Sequence, residues 1–254
     1  MTEAAAEGRA LVVGASRGIG LAITGWLLGQ ASVEQVYATH RGNDCGSGLR
    51  ALEQEHGQRL TLLECDVTRD QDLNRLADRI GADDRPLNLV MHCAGILHED
   101  GIGPEKALAQ VRRPALARVF DVNAFGPVLL AQAVLPLMDR QRPSHFAALS
   151  AMVGSIGDNR LGGWYAYRAS KAALNQFMKT LAIEAGRRYP LLCVSAIHPG
   201  TTDTGLSRPF QANVPAERLY SPEQSAARIM QVVLSGRPGD SGRFVNWDGR
   251  ILAW

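Results

Sequence analysis

Gly14-Ala15-Ser16-Arg17-Gly18-Ile19-Gly20 follows directly on the apolar run Ala10-Leu11-Val12-Val13 and leads into Leu21-Ala22-Ile23-Thr24. Glycines at the first, fifth and seventh positions of such a turn let the chain reverse tightly and bring backbone N–H groups close to a pyrophosphate. A helix starting there offers the same anion its first amides and the positive end of its dipole. The stretch therefore reads strand, glycine turn, helix. It makes Gly14, Ser16, Arg17, Gly18, Ile19 and Gly20 a candidate dinucleotide cradle.

Outward from this turn the pattern repeats. Short apolar runs rich in Val, Leu and Ile lie at Ala10–Val13, Gln35–Thr39, Leu60–Cys65, Leu87–Cys93, His145–Leu149, Leu191–Ile197 and Arg243–Asn246. Their continuity suits strands buried on both faces of a parallel sheet. Helical periodicity lies between them, over Ile19–Gln30, Asp70–Ile80, Leu116–Met138, Tyr167–Arg188 and Pro222–Leu234. This alternation predicts an α/β fold: one Rossmann-like domain over residues 1–254, a doubly wound parallel sheet of about seven strands with helices on both faces. Gly101–Pro114 is a loop or helix of undefined shape. Thr201–Leu219 is too long for an ordinary connection and reads as a lid or an irregular insertion. In open sheets of this kind ligands bind beyond the carboxyl ends of the strands, so the residues just after each strand become the candidates.

Arg17 lies in the glycine turn and Arg41 follows the second strand. An NAD-selective site carries an acidic residue at the end of that strand to hold the ribose 2′-OH; the nearest here, Asp44, comes a few residues late. Arginines pair instead with a 2′-phosphate. The reading is NADP(H) in preference to NAD(H), with NAD(H) still admissible and Arg41 as a mere loop charge the alternative. Asp66 follows the third strand and is placed either to accept from an adenine amino group or to serve as a turn residue.

Tyr167-Arg168-Ala169-Ser170-Lys171 sets a phenol and an ammonium four residues apart, one turn apart on one helix face. Reducing a carbonyl takes a hydride on carbon and a proton on oxygen. A free tyrosine titrates near pH 10; a nearby cation is expected to bring it closer to the working pH.

The glycine turn, Asp66-Val67, Ala94-Gly95, Asn123, Tyr167 with Lys171, and Pro199-Gly200 together resemble the short-chain dehydrogenase/reductase family over essentially the whole chain. Gly154–Asn159, Gly162–Arg168, His198–Thr204 and Asp240–Phe244 resemble its C-factor-like branch. The resemblance implies that Tyr167 is the general acid/base and that Lys171 orients the cofactor. It implies that Asn123 anchors a proton-feeding water chain, its alternative being a helix kink. Val67, Ala94, Gly95, Pro199, Gly200, Thr202 and Thr204 would complete the cofactor site. It also implies a small-molecule carbonyl or alcohol substrate and a homodimer or homotetramer packed through the long helices. The C-factor likeness leaves a second reading, a signalling or nucleotide-sensing protein with weak catalysis.

The match frays at two places. The serine that the family uses to hold the substrate carbonyl is replaced by Ala151, with Ser150 and Ser155 on either side. Ser150, at the strand end, is slightly ahead as substitute; Ser155 or neither remain open. His92-Cys93 stands where the family has two asparagines, and Cys93 lacks the amide donors that tie neighbouring strands. His92 reads as structural.

The 254 residues carry a net charge of +2 and are 46% hydrophobic, enough for a sizeable core. No basic stripe suggests nucleic acid. No apolar run approaches the roughly 18 residues of a membrane span, and Met1–Arg9 lacks signal-peptide character, so the cytoplasm is the expected compartment. Cys45, Cys65, Cys93 and Cys193 form no CxxC pair, and no metal is expected.

Overall fold

The computed structural model describes residues 6–42, 44–212 and 214–254. Seven strands form one sheet in the order β3-β2-β1-β4-β5-β6-β9, every neighbouring pair parallel. They are β1 (Gly8–Val13), β2 (Val33–His40), β3 (Leu60–Glu64), β4 (Leu89–His92), β5 (Ser144–Leu149), β6 (Leu192–His198) and β9 (Arg243–Asn246). Strand order reverses between β1 and β4, which opens a crevice at their carboxyl ends. Each of the seven expected strands is present, with ends shifted by at most two residues.

Period-two alternation gives the sheet two apolar faces. From β1, Leu11 and Val13 enter one core with Leu73 and Ile80 of α3 (Asp70–Gly81), Leu130 and Val134 of α5 (Gly126–Val134), and Leu174 and Met178 of α6 (Tyr165–Ala185). Ala10 and Val12 face the other core, with Ile23 and Leu27 of α1 (Gly18–Leu28), Leu49 of α2 (Ser47–His56), and Ile229 and Val233 of α7 (Pro222–Ser235). Such burial on both faces is why these strands carry no polar alternation.

The expected helix Leu116–Met138 is not uniform. It runs as α4 (Arg113–Phe120), a π-helical turn over Asp121–Phe125, α5, and a 3₁₀ turn over Leu135–Leu137. The π turn adds one residue to the helical circuit and aims Asn123 inward. The continuous segment Arg113–Leu137 is also long and apolar enough to cross a bilayer by length and composition, which corrects the expectation that no stretch reaches that length. Half of its most apolar window is buried against the rest of the fold.

Helix α2 was not expected. Its ten residues hold two well-placed leucines, Leu49 and Leu52, and begin after a glycine, so the local pattern is thin. Thr201–Leu219 is an insertion with a stitched base: β7 (Thr201–Thr202) pairs with β8 (Leu219–Tyr220), and the Asp203 amide donates to the Tyr220 carbonyl.

Candidate active site

The crevice holds a cavity of about 580 Å³, floored by the glycine turn. The Gly14 amide donates to Thr39 Oγ1 at 3.1 Å and the Ala15 amide to the Thr39 carbonyl at 2.8 Å, so the turn is tied to the end of β2. Gly14 has φ 82°, and a Cβ there would lie 2.6 Å from the Ala94 nitrogen. No other residue type fits between the turn and the strand beside it. Thr204, from the long insertion, brings its methyl group against Gly18, where an added Cβ would meet it at 3.1 Å.

Fifteen of the expected cofactor residues line this cavity: Gly14, Ser16, Arg17, Gly18, Ile19, Gly20, Arg41, Asp66, Val67, Ala94, Gly95, Tyr167, Lys171, Pro199 and Thr204. Two do not. Thr202 is buried and shares a 2.7 Å hydrogen bond with Ser225 of α7. Gly200 packs on Trp247, whose ring would lie 2.9 Å from an added Cβ. Both are turn and packing residues because the chain dips toward α7 here before rising again at Asp203.

Arg17 and Arg41 are exposed at the cavity rim, and among the described residues neither has a carboxylate within 4.0 Å. Asp66 uses one carboxylate oxygen in the turn and leaves the other open among the described residues. Its Oδ1 accepts from the Thr68 amide at 3.0 Å and the Thr68 hydroxyl at 2.8 Å, a turn function. Partial burial raises its pKa, but those bonds, with the Arg41 and Arg118 charges, outweigh it and hold the carboxyl below its usual range.

Tyr167 and Lys171 lie one turn apart on α6, both buried. The Lys171 ammonium is 5.8 Å from the Tyr167 ring centre and donates to the Leu149 carbonyl at 2.8 Å, at the end of β5. Asn123 bridges from the π turn. Its Oδ1 accepts from the Ile96 amide and its Nδ2 donates to the Ile96 carbonyl, each at 2.8 Å; Nδ2 also reaches Ser170 Oγ at 3.1 Å. A Cβ at Gly95 would lie 3.3 Å from Asn123 Oδ1 and 3.6 Å from the Lys171 nitrogen. Gly95 is thus the gap through which asparagine and lysine converge. Ile96, Leu149 and Ser170 were not foreseen. The first two act through main-chain atoms, which side-chain patterns do not reveal; Ser170 lay inside the Tyr–Lys segment.

Burial sets the protonation states. It pushes the Tyr167 phenol well above its ordinary range, opposite to the lowering expected from Lys171. The same burial pushes Lys171 down to about 8, with the Cys93 thiol acting weakly the other way. His92 is pushed down to about 3 by burial and then by the Lys171 charge. It stays neutral, with Nε2 unpartnered. Cys93 is half-buried, and its amide donates to the Val13 carbonyl at 2.8 Å, so main chain carries the strand tie there.

Neither substitute serine is free to donate. Ser150 lines the cavity, but its hydroxyl donates to Asn175 Oδ1 at 2.6 Å. Ser155 donates to the Trp254 carbonyl at 3.3 Å and accepts from the Asp158 amide at 3.1 Å. A hydroxyl has one proton, so polarising a substrate carbonyl would first break one of these bonds.

The family profile described as short chain dehydrogenase matches residues 9–215. The 1-hydroxy-2-glutathionyl-2-methyl-3-butene dehydrogenase of Rhodococcus sp. (strain AD45) is 31% identical over 96% of this chain and 98% of its own. The C-signal protein of Myxococcus xanthus is 30% identical over 66% of this chain and 93% of its own. Among solved structures, NADPH-bound carbonyl reductase from chicken fatty liver superposes with a TM-score of 0.87 at 27% identity, covering 98% of this chain and 95% of that one.

Proposed function

This chain belongs to the short-chain dehydrogenase family, and from that membership we propose that it interconverts a carbonyl and an alcohol with NADP(H), Tyr167 handling the proton. The observation that carries the proposal is the placement of Tyr167 and Lys171 on the wall of the cavity whose floor is the glycine turn, with Asn123 buried beside Lys171 across Gly95.

The cradle suits a dinucleotide: side chains are absent where a Cβ would strike backbone, and Arg17 and Arg41 stand without a carboxylate partner among the described residues where a 2′-phosphate would need them. Asp66 keeps Oδ2 without a partner among the described residues, open to an adenine amino group. The NADPH in the similar carbonyl reductase supports the same preference. When bound, the nicotinamide supplies or accepts the hydride.

The remaining chemistry belongs to the chain. Because burial keeps Tyr167 protonated at neutral pH, it gives its proton to the carbonyl oxygen in the reductive direction. The Lys171 ammonium, 5.8 Å from the ring centre, stabilises the phenolate left behind. Asn123 holds the Ile96 segment and Ser170 together beside Lys171. Ala151 contributes no hydroxyl, so carbonyl polarisation rests on Tyr167 unless Ser150 leaves Asn175. That feature, with the C-signal likeness, favours the second reading of a nucleotide-sensing protein with slow turnover.

Titration with NADPH and NADH by nicotinamide fluorescence, followed by a panel of aldehydes, ketones and quinones, tests both. The expected result is tighter NADPH binding and turnover that Tyr167→Phe lowers by about 10³-fold, with NADPH affinity retained. Binding without turnover across the panel would shift the assignment to the sensing reading. Equal affinity for the two cofactors would remove the NADP(H) preference.

A further inference from the structure

Three consecutive residues, Gly162, Gly163 and Trp164, take left-handed backbone with φ of 64°, 67° and 52°. Two are glycines, which adopt it freely. Trp164 is the only non-glycine with positive φ among the described residues. A bulky side chain in that region is strained and persists only where its surroundings over-determine it.

Glu105 supplies that determination from far upstream in the chain. Its carbonyl accepts from the Trp164 amide at 2.5 Å, and its Oε2 accepts from the Ala166 amide at 3.1 Å. Helix α6 has no cap from its own N-cap side chain and no acidic residue in its first turn. Glu105, only 4% exposed, therefore satisfies and complements the N-terminus of the helix that carries Tyr167.

The clamp fixes a ring. The Trp164 indole stands edge-to-face against Tyr167, with centroids 6.2 Å apart, and tilts against Phe210 at 5.1 Å. Phe210 in turn meets His98 edge-on at 5.9 Å, and a His98 ring nitrogen lies 3.1 Å from the Gly205 carbonyl. The segment after β4, the 201–219 insertion and the start of α6 thus meet as one aromatic wall beside Tyr167. Trp164 and Phe210 are each only half-buried, so ring surface remains to be covered.

Resting on the reductase reading, we propose that Trp164, held by Glu105, is a specificity-determining residue that selects substrates whose carbonyl is carried on a flat conjugated ring over saturated rings of equal size. Aromatic pairing adds to plain area burial, and a saturated ring of the same area cannot recover that part.

The test compares acetophenone with cyclohexyl methyl ketone in two ways: calorimetric affinity for the protein–NADP⁺ complex, and kcat/KM for reduction. The expected preference for acetophenone is about tenfold, carried mainly by KM. Trp164→Asn, a residue that tolerates left-handed backbone, should bring the ratio to about one. Glu105→Ala, which removes the acceptor for the Ala166 amide but keeps the main-chain bond to Trp164, should lower the ratio part of the way, while Glu105→Gln, which keeps that acceptor, should preserve it. Equal affinity of the unmodified protein for the two ketones, or a preference that survives Trp164→Asn, overturns the proposal. Selective binding of acetophenone with no turnover of either ketone would support this inference while overturning the reductase reading.

Discussion

The two ends of the sheet treat charge in opposite ways. At the amino ends Arg9, 1% exposed in β1, donates to the Ile80 and Asp83 carbonyls at 3.1 Å each and to the Tyr37 hydroxyl, and it lies 3.7 Å from the Asp83 carboxylate. Arg85 then bridges Asp83 and Glu34 at 2.7 and 2.8 Å. Asp139 beneath β5 accepts from the Gln141 and Arg142 amides, the Arg142 side chain and Asn88. At the carboxyl ends Arg17 and Arg41 have no carboxylate partner among the described residues. The Lys171 ammonium there is hydrogen-bonded to a neutral carbonyl, and His92 is left neutral. Paired charge holds the framework. Charge left open, or buried without a counter-ion, is what a site can offer to an anion or a proton.

The largest effect expected from this contrast is a loss of stability in acid. His92, His145 and His198 have pKa values pushed down by burial to about 3, 4 and 4, from about 6.5 in the unfolded chain. The folded values are depressed, so between pH 6.5 and 4 the unfolded state binds more protons and stability falls as pH falls. Unfolding near pH 5 should take up close to three protons from these groups, read from the pH dependence of denaturant midpoints. His92 and His198 lie at carboxyl ends, in β4 and β6. If the excess uptake persists unchanged in the His92→Asn, His198→Asn double variant, the open charge state of that end is not its source.

A smaller effect tests the paired end. Arg9→Met should cost about 3 kcal/mol, because it leaves the Ile80 and Asp83 carbonyls and the Tyr37 hydroxyl without their donor at the margin of the core, while Arg85 still holds the Asp83 carboxylate. NADPH affinity should be unchanged, since Arg9 is at the far end of β1 from the cavity. Weakened cofactor binding at full stability would erase the distinction between the ends.

The smallest effect concerns the open end. Arg41→Ala should weaken NADPH by about tenfold and NADH by much less, with little change in stability, as expected for an exposed charge-assisted contact. Equal losses for the two cofactors would mean that Arg41 supplies only a general positive field.

Legibility in the sequence followed the range of the interactions. The strands were readable because burial on both faces writes itself into a short segment. Helix α2 was not, since only Leu49 and Leu52 mark its buried side. The break in the Leu116–Met138 helix was hidden as well: a π turn leaves composition unchanged and alters only register. Ser150 looked available because it ends β5 in sequence; its engagement with Asn175, 25 residues on, depends on how α6 lies against the strand.

By itself, then, the sequence determined the α/β alternation, the glycine turn and the one-turn spacing of Tyr167 and Lys171, because each is set by backbone geometry within a few residues. Tertiary structure alone decided that burial raises Tyr167 and lowers Lys171. It decided that Thr202 turns to Ser225, and that Glu105 caps the helix bearing Tyr167. These depend on which groups meet across distant segments and on how much water is excluded where they meet, and neither is encoded in local spacing.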